Sequence, residues 1–471
     1  MPTRLTTPLA PVLDAHRFAA GSWWSDSVLR ERVDALRRKA ASGHLRPFQI
    51  MTCTAGGPHL REVTRSFIEM SERAALGTLR RFGRPLVRWL MVQRTRCPSI
   101  DEMAATLTSW GVEVVQQAAP QHSAHSIYDG RRALLDAVRG HDLSDEPIVL
   151  FLDDDLAFDA LFSGPEGVDL GAPWPWLPAL WLYHEAHPDI DVAIGGVTGA
   201  PPLPASSTLA TNLFDLEAAL HGLQTYTSPQ RWSEPDHYYD LSVVRTNGDP
   251  YPLIAPLPEA ADLLDALMIH GTLARPLVAT PTTVADSRSG QVVRGGNTAM
   301  FNLEWLKRPH PQARLGTLRL RRADTVWAQA AVSIYGCKLG QLPWPLRHIR
   351  DARGWTAQTA QLWRERLLAD LGGVGLYRGI DRWRKQADWH RIGDLLLAGD
   401  DVLACMESRR RKVSEVLSIA HQRCMALLKQ RPELVAVSAA LDDGQAAVAA
   451  LDLGPDAIRS LLMDLSSSME V

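Results

Sequence analysis

Between residues 47 and 155 short apolar runs alternate with stretches in which apolar side chains return every three or four positions. The first run, 47–54, predicts a strand; Ala55-Gly56-Gly57-Pro58 then stops it, and helical spacing follows over 60–81. A second strand is predicted over 86–92 and a third over 112–116. Between them lies a helix over 99–110, with Ser99 as its cap and Glu102 three residues on. Another helix over 130–139 leads to Ile148-Val149-Leu150-Phe151-Leu152, an unbroken apolar run that ends in Asp153-Asp154-Asp155. Unbroken runs of this length suit strands covered on both faces, so strand–helix alternation predicts a mostly parallel sheet flanked by helices.

The second half continues the alternation with more interruptions. A helix is predicted over 174–187 and a buried strand over 192–197, which contains Gly195-Gly196. Residues 200–250 are rich in Pro, Ser and Asn and include Asp236, His237, Tyr238, Tyr239 and Asp240; they predict a long irregular functional loop. Helical spacing returns over 257–273. A strand over 292–301 is interrupted by Gly295-Gly296 ahead of Asn297, and a helix from about 321 to 335 carries Asp324 near its start. Residues 340–345 predict a turn-rich link to Leu346-Arg347-His348. From 354 onward leucine and alanine recur at helical spacing, with breaks expected at Gly372-Gly373, Arg431-Pro432 and Gly454-Pro455, giving four to six helices. At the other end, Val28, Leu29, Val33 and Leu36 predict a surface helix over 25–41. The expected division is an N-terminal extension (1–45), an α/β domain (46–353) and an all-helical C-terminal region (354–471).

Composition narrows the function classes. A formal net charge of −3 over 471 residues carries no basic excess of the kind that nucleic acid binding uses. Five scattered cysteines without a CxxC pair suggest neither a disulfide framework nor a zinc site, and they fit a reducing cytoplasm. No apolar run reaches the length of a membrane span, and the first residues lack the apolar core of a signal peptide. Fifteen tryptophans are mostly core material, although Trp174, Trp176 and Trp181 form a local group of the kind that also stacks on sugar faces.

Three carboxylates at a strand end need a counterion. Open α/β sheets take ligands just outside the carboxyl ends of their strands, and hard divalent cations prefer oxygen ligands, so a metal-bound phosphate is one reading and a solvated acidic turn the other. Arg131 and Arg132, near the start of the 130–139 helix, oppose its dipole unless an anion lies nearby.

Taken in order, Phe151-Leu152-Asp153-Asp154-Asp155, Gly195-Gly196, Gly295-Gly296-Asn297-Thr298-Ala299, Ala323-Asp324 and His348 resemble the GT-A class of nucleotide-sugar glycosyltransferases, most of all its family 2 group, over residues 46–350. The resemblance implies a Rossmann-like GT-A domain, a nucleoside-diphosphate sugar as donor and Mn2+ or Mg2+ as cofactor. It assigns Asp155 to the metal, Asp153 to metal or ribose and His348 as a further metal ligand. Thr52, Thr54, Arg131, Arg132, Asp153, Asp154, Gly295, Gly296 and Asn297 are expected around the donor, and Asp324 is the expected base toward an acceptor hydroxyl. The chain departs from the family at Gln93-Arg94, where an acidic residue usually reads the base, and at Ala323, where a glutamate usually precedes the aspartate. The acceptor stays open, and the helical C-terminal region is expected to select it or to mediate self-association. An aspartate-based phosphatase and a non-catalytic scaffold are the competing readings.

Overall fold

The structure, a computed structural model of the chain, describes residues 45–73, 80–81, 84–119, 127–141, 143–164, 167–171, 176–200, 204–222, 253–254, 259–268, 276–278, 297–350 and 354–470, with positions 31, 34, 35, 38 and 39. Most of the helix expected over 25–41 therefore lies outside the described residues. So do Gly295, Gly296, Trp174 and 223–250 with Asp236, His237, Tyr238, Tyr239 and Asp240.

Strand β1 (Phe48–Thr54) leads through α1 (His59–Arg73) to β2 (Val87–Gln93), and α2 (Pro98–Ser109) leads to β3 (Glu113–Ala118). Helix α3 (Ile127–Arg139) then crosses back to β4 (Ile148–Leu152), which is followed at once by β5 (Leu156–Ala157). The four long strands are parallel in the order β3–β2–β1–β4. Alternation along them sorts the core into two layers. Phe48, Ile50, Trp89, Met91, Ile148 and Leu150 pack with Leu60, Phe67 and Ile100 of α1 and α2, whereas Met51, Leu90, Val92 and Val149 pack with Leu134 and Val138 of α3. Helices thus cover opposite faces on either side of β1 and β4, and the strand order reverses between those two strands.

Beyond α4 (Trp176–Ala186) come β6 (Val192–Gly199), α5 (Ala205–Leu220), β7 (Leu253–Ile254), α6 (Ala260–Leu267), β8 (Leu277–Val278), β9 (Asn297–Met300), α7 (Ala323–Tyr335) and β10 (Leu339–His348). β9 lies antiparallel between β4 and β6, and β10 runs parallel to β6. The end of β10 folds back onto β5, with His348 opposite Leu156. The described sheet is therefore mixed, with a parallel half and an antiparallel insertion.

Several sequence expectations change here. Residues 205–220, expected within an irregular loop, form a buried helix. Leu209, Leu213 and Leu216 supply one stripe, and Thr208 and Thr211 return their hydroxyls to the carbonyls of Pro204 and Ser207 at 3.2 and 2.6 Å, so these two hydroxyls are paired within the helix. Residues 340–345 are strand rather than link; a register shift opposite Gly195 and Val197 accommodates the prolines, which cannot donate to the ladder. Ser99 does not cap α2. The cap position is Cys97 with Pro98 at the first turn, and Ser99 Oγ accepts the Gly57 N–H at 3.1 Å instead.

The C-terminal residues form α8 (Ala357–Arg384), α9 (Gly399–Leu428), α10 (Val435–Ala449) and α11 (Pro455–Met469), with breaks near Pro432 and Gly454 as expected. Gly372-Gly373 does not break α8 but lies within it, because contact demands small residues there. A Cβ on Gly373 would overlap the Arg321 carbonyl oxygen, and one on Gly375 would come 2.7 Å from the Met406 Cα of α9. These helices share apolar clusters with α5, through Leu209 and Leu213, and with α7, through Val326 and Ala330.

Gly373→Ala and Gly375→Ala should each lower unfolding stability by about 1–3 kcal/mol through overpacking. Gly399→Ala, where an added methyl meets nothing within 4 Å, should change it little. Urea midpoints of the three variants check this.

Candidate functional site

Strand order reverses between β1 and β4, the place where open α/β sheets form a crevice at their carboxyl ends, and the three aspartates emerge there from β4. Arg131 of α3 reaches across it. One guanidinium nitrogen lies 3.0 Å from Asp153 and the other 3.7 Å from Asp324. α3 begins at Ile127, three residues earlier than expected, so Arg131 sits in its second turn; Arg132, one residue on, is exposed. Burial raises the Asp153 carboxyl above the ordinary carboxylate range; Arg131 works against this, while Asp155 and Asp324 reinforce it. Asp324 lies in the first turn of α7, where its Oδ1 accepts the Thr325 N–H at 3.0 Å. The residue before that helix, Arg322, holds a left-handed backbone with φ of 76°. Such a conformation costs roughly 1–3 kcal/mol in a side-chain-bearing residue and persists only where surrounding contacts impose it.

Asp155 faces His348. The imidazole Nε2 is 3.0 Å from Asp155 Oδ2, and Nδ1 donates to the Ala200 carbonyl, which can only accept. With one ring proton committed to that carbonyl, Nε2 offers a lone pair toward a carboxylate unless a positive charge joins them, either a second ring proton or a metal ion. Burial alone would raise Asp155, but His348, Arg350 and His59 outweigh it and hold the carboxyl well below its usual range. Its other oxygen, Oδ1, is buried without a hydrogen-bond partner among the described residues. Asp154 turns the other way, 3.5 Å from His59.

A second set of charges fixes this end of β10. Arg347 donates to both oxygens of Asp159, at 2.6 and 2.9 Å, and to Glu62 of α1, which also pairs with Arg65. The Ile349 N–H donates to the Asp155 carbonyl at 2.8 Å. His348 is therefore carried on a strand tied to α1 and to the segment just after the acids.

The remaining sequence-selected residues fall in several places. Thr54 accepts the Gly56 N–H at 2.9 Å and shapes the turn at the end of β1. There Gly56 has φ of 78° and an added Cβ would lie 2.6 Å from Cys97 Sγ, so glycine is required. Thr52 is buried and accepts the Trp89 indole N–H at 3.0 Å. Asn297 is fully buried; its amide donates to the Gly196 carbonyl at 3.3 Å and packs against Gly195. Gly295 and Gly296 are outside the described residues.

Two contributors escaped the sequence reading. His310 lies in the electrostatic reach of Arg131 and Asp324, and its Nδ1 donates to the Pro311 carbonyl at 3.2 Å. Burial, helped by Arg131, pushes its imidazole down to about 4 against the opposing effect of Asp324. The other is Asp370 of α8, 1% exposed, which stands 3.4 Å from Arg322 and 3.5 Å from Arg321. Neither residue falls in a motif; only their spatial position connects them to the crevice.

Among the described residues no group of three His, Cys, Asp or Glu side chains converges as a ready metal cage. Asp155 and His348 are together, while Asp153 is engaged by Arg131. A pair of ligands with an orphaned carboxylate oxygen fits a hard ion that takes its remaining positions from phosphate and water, which is how Mg2+ commonly binds beside nucleotides. Among the described residues no helix is long and apolar enough to cross a membrane. No protein-family model matches the chain, and no curated protein sequence matches it.

The direction of the His310 shift sets a pH dependence. Between an ordinary 6.5 and about 4 the unfolded chain binds a proton that the folded chain does not, so stability falls as pH drops through this window. His184, also lowered by burial and by Arg46, acts in the same direction. Urea midpoints at pH 7.5 and 4.5 should show a clear drop for the wild type and a smaller one for His310→Gln.

Proposed function

We propose that the chain is a metal-dependent glycosyltransferase of the GT-A type, moving a sugar from a nucleoside-diphosphate donor to an acceptor nucleophile. The observation that carries this reading is the Asp155–His348 pair at the reversal point in the parallel half of the sheet, with Arg131 bridging the neighbouring Asp153 to Asp324. A bare acidic turn would give no reason for a buried, unpartnered Asp155 oxygen beside an imidazole whose other nitrogen is already committed.

In this reading the donor lies over the carboxyl ends of β1 and β4, with its diphosphate toward Asp155 and His348. A bound Mn2+ or Mg2+ there would act as a Lewis acid, stabilising charge on the leaving nucleoside diphosphate. Asp155 and His348 would hold that ion, and Asp153 would stand toward the ribose or the metal. The turn made by Thr54, Gly56 and Gly57 borders the same edge, its Gly56 and Gly57 N–H groups being taken by Thr54 and Ser99. Asp324 takes the proton of the attacking acceptor hydroxyl, which requires hydrogen-bond reach of that group. Arg131 keeps a positive charge between Asp153 and Asp324, and neutral His310 borders the same space.

Wild-type protein should show a thermal shift with at least one of UDP, GDP or dTDP only when Mn2+ or Mg2+ is present. Asp155→Ala should lose that shift while melting cooperatively; retention of metal-dependent nucleotide binding would remove Asp155 from the metal site. Asp324→Asn should keep nucleotide binding yet lose transfer by about 10²–10⁴-fold, the usual contribution of a general base. Transfer at the wild-type rate would place the base elsewhere.

A further inference from the structure

At the amino-terminal edge of the parallel strands, opposite to the aspartates, one guanidinium joins four segments of the chain. Arg46, two residues before β1, donates to the Glu146 carbonyl, to the Pro147 carbonyl at 3.2 Å and to the Phe301 carbonyl at 2.7 Å. Its Nη1 lies 3.1 Å from Nε2 of His184, in the last turn of α4. Glu146 and Pro147 lead into β4 and Phe301 follows β9, so the contact ties the entries of two parallel strands to the end of their antiparallel neighbour. The Arg46 carbonyl in turn accepts the Trp181 indole N–H of α4 at 2.9 Å, and the Pro47 carbonyl accepts the Ile148 N–H at 2.8 Å.

A guanidinium has donors and no acceptor, so Nε2 of His184 must accept, and the ring proton of the neutral imidazole is on Nδ1. That nitrogen is buried without a hydrogen-bond partner among the described residues. The ring lies face to face with Phe301, with 4.8 Å between centroids and planes 5° from parallel. A second ring proton would set one N–H against another and a cation against a cation. The charged groups that face the imidazole are Arg46, from the entry to β1, and Glu185, from α4 itself, which is paired with Lys39. Glu146, from the segment before β4, acts on Arg46, and the segment after β9 contributes the apolar ring of Phe301. Burial and Arg46 accordingly hold the imidazole below its usual range against the pull of Glu185.

We propose that Arg46 and His184 form a pH-sensitive clasp, which docks the end of α4 on the entries of β1 and β4 while the imidazole is neutral and opens there on protonation, with the rest of the sheet still folded. The closed clasp binds one proton fewer than the unfolded chain. Its contribution is therefore complete above the ordinary imidazole value of 6.5 and is lost progressively as pH falls below it. Imidazole is the side chain that titrates in this interval, and here it is the one that must stay neutral for Arg46 to be held. The clasp lies at the opposite edge from the donor crevice and stands whether or not a nucleotide binds.

The test is hydrogen exchange of the full chain read by mass spectrometry at pH 7.5 and 5.0, with labelling times scaled to the intrinsic exchange rate at each pH. Peptides covering 181–187 and 146–149 are expected to lose protection about tenfold or more at the lower pH, while the β2 peptide over 87–93 keeps it. His184→Gln retains an acceptor for Arg46 and cannot gain the charge, so its protection is expected to be the same at both pH values. If that variant does not fold, 15N-histidine spectra of the wild type carry the comparison, with the His184 ring assigned through its contact with Phe301. That ring is expected to show the Nδ1–H tautomer at pH 7.5 and to take up its second proton over the interval in which the two peptides lose protection. A ring already charged at pH 7.5, wild-type protection that does not change with pH, or an equal loss in His184→Gln overturns the clasp. Loss of protection in β2 together with the other peptides overturns it as well, because the event is then global unfolding.

Discussion

The grip of Arg347 on Asp159 decides where the site's chemistry can be. Asp159 is almost entirely buried, and breaking such a pair by removing one member typically costs about 3–5 kcal/mol because the other charge is left stranded. Arg347 is the neighbour of His348, and Asp159 lies four residues beyond Asp155, so the pair joins the last turn of the sheet to the segment that follows the acids. Glu62 and Arg65 extend the tie to α1. With both ends fixed, His348 and Asp155 meet at 3.0 Å on strands held in place by buried charge.

Charge is distributed unevenly around this fixed point. Asp153 and Asp324 share Arg131 on one side of the crevice, and arginines crowd Asp370 on the other. The left-handed Arg322 links the two sides, since it ends the segment bearing Arg321 and begins the helix bearing Asp324. Helix α8 packs on the start of this segment, where Gly373 leaves no room for a side chain against the Arg321 carbonyl.

What could be read from the sequence depended on how local its cause was. The β4 run and its acids stood out because a strand covered on both faces is apolar at every position, and the parallel half of the sheet followed from the same reasoning. β10 was hidden by Pro343 and Pro345, whose tolerance depends on a register shift against β6 that no local pattern announces. α5 was hidden because serine, threonine and asparagine are read as loop, although the threonine hydroxyls turn back onto the helix. Ser99 seemed a cap because the cap pattern is local, yet the Gly57 N–H, over forty residues away, claimed it. His310 and Asp370 act through partners distant in sequence, and nothing beside them in the chain marks their role. The spacing of Asp155 and His348 along the chain was legible only through a family resemblance, whereas their meeting at 3.0 Å required the fold.

Helix α8 brings the C-terminal region into contact with the segment that bears Arg321 and Arg322. Its glycines seat it against the segment before α7, and Asp370 and Arg366 place its charges at the edge of the crevice. The helices are therefore part of the wall of the site. A chain shortened to its α/β half would keep the strands and the aspartates but would expose the apolar faces of α5 and α7 and leave Arg321 and Arg322 without their carboxylate. The unit that keeps Arg321 and Arg322 beside their carboxylate runs at least through α8, and swapping this region between proteins would exchange those charges along with the tail.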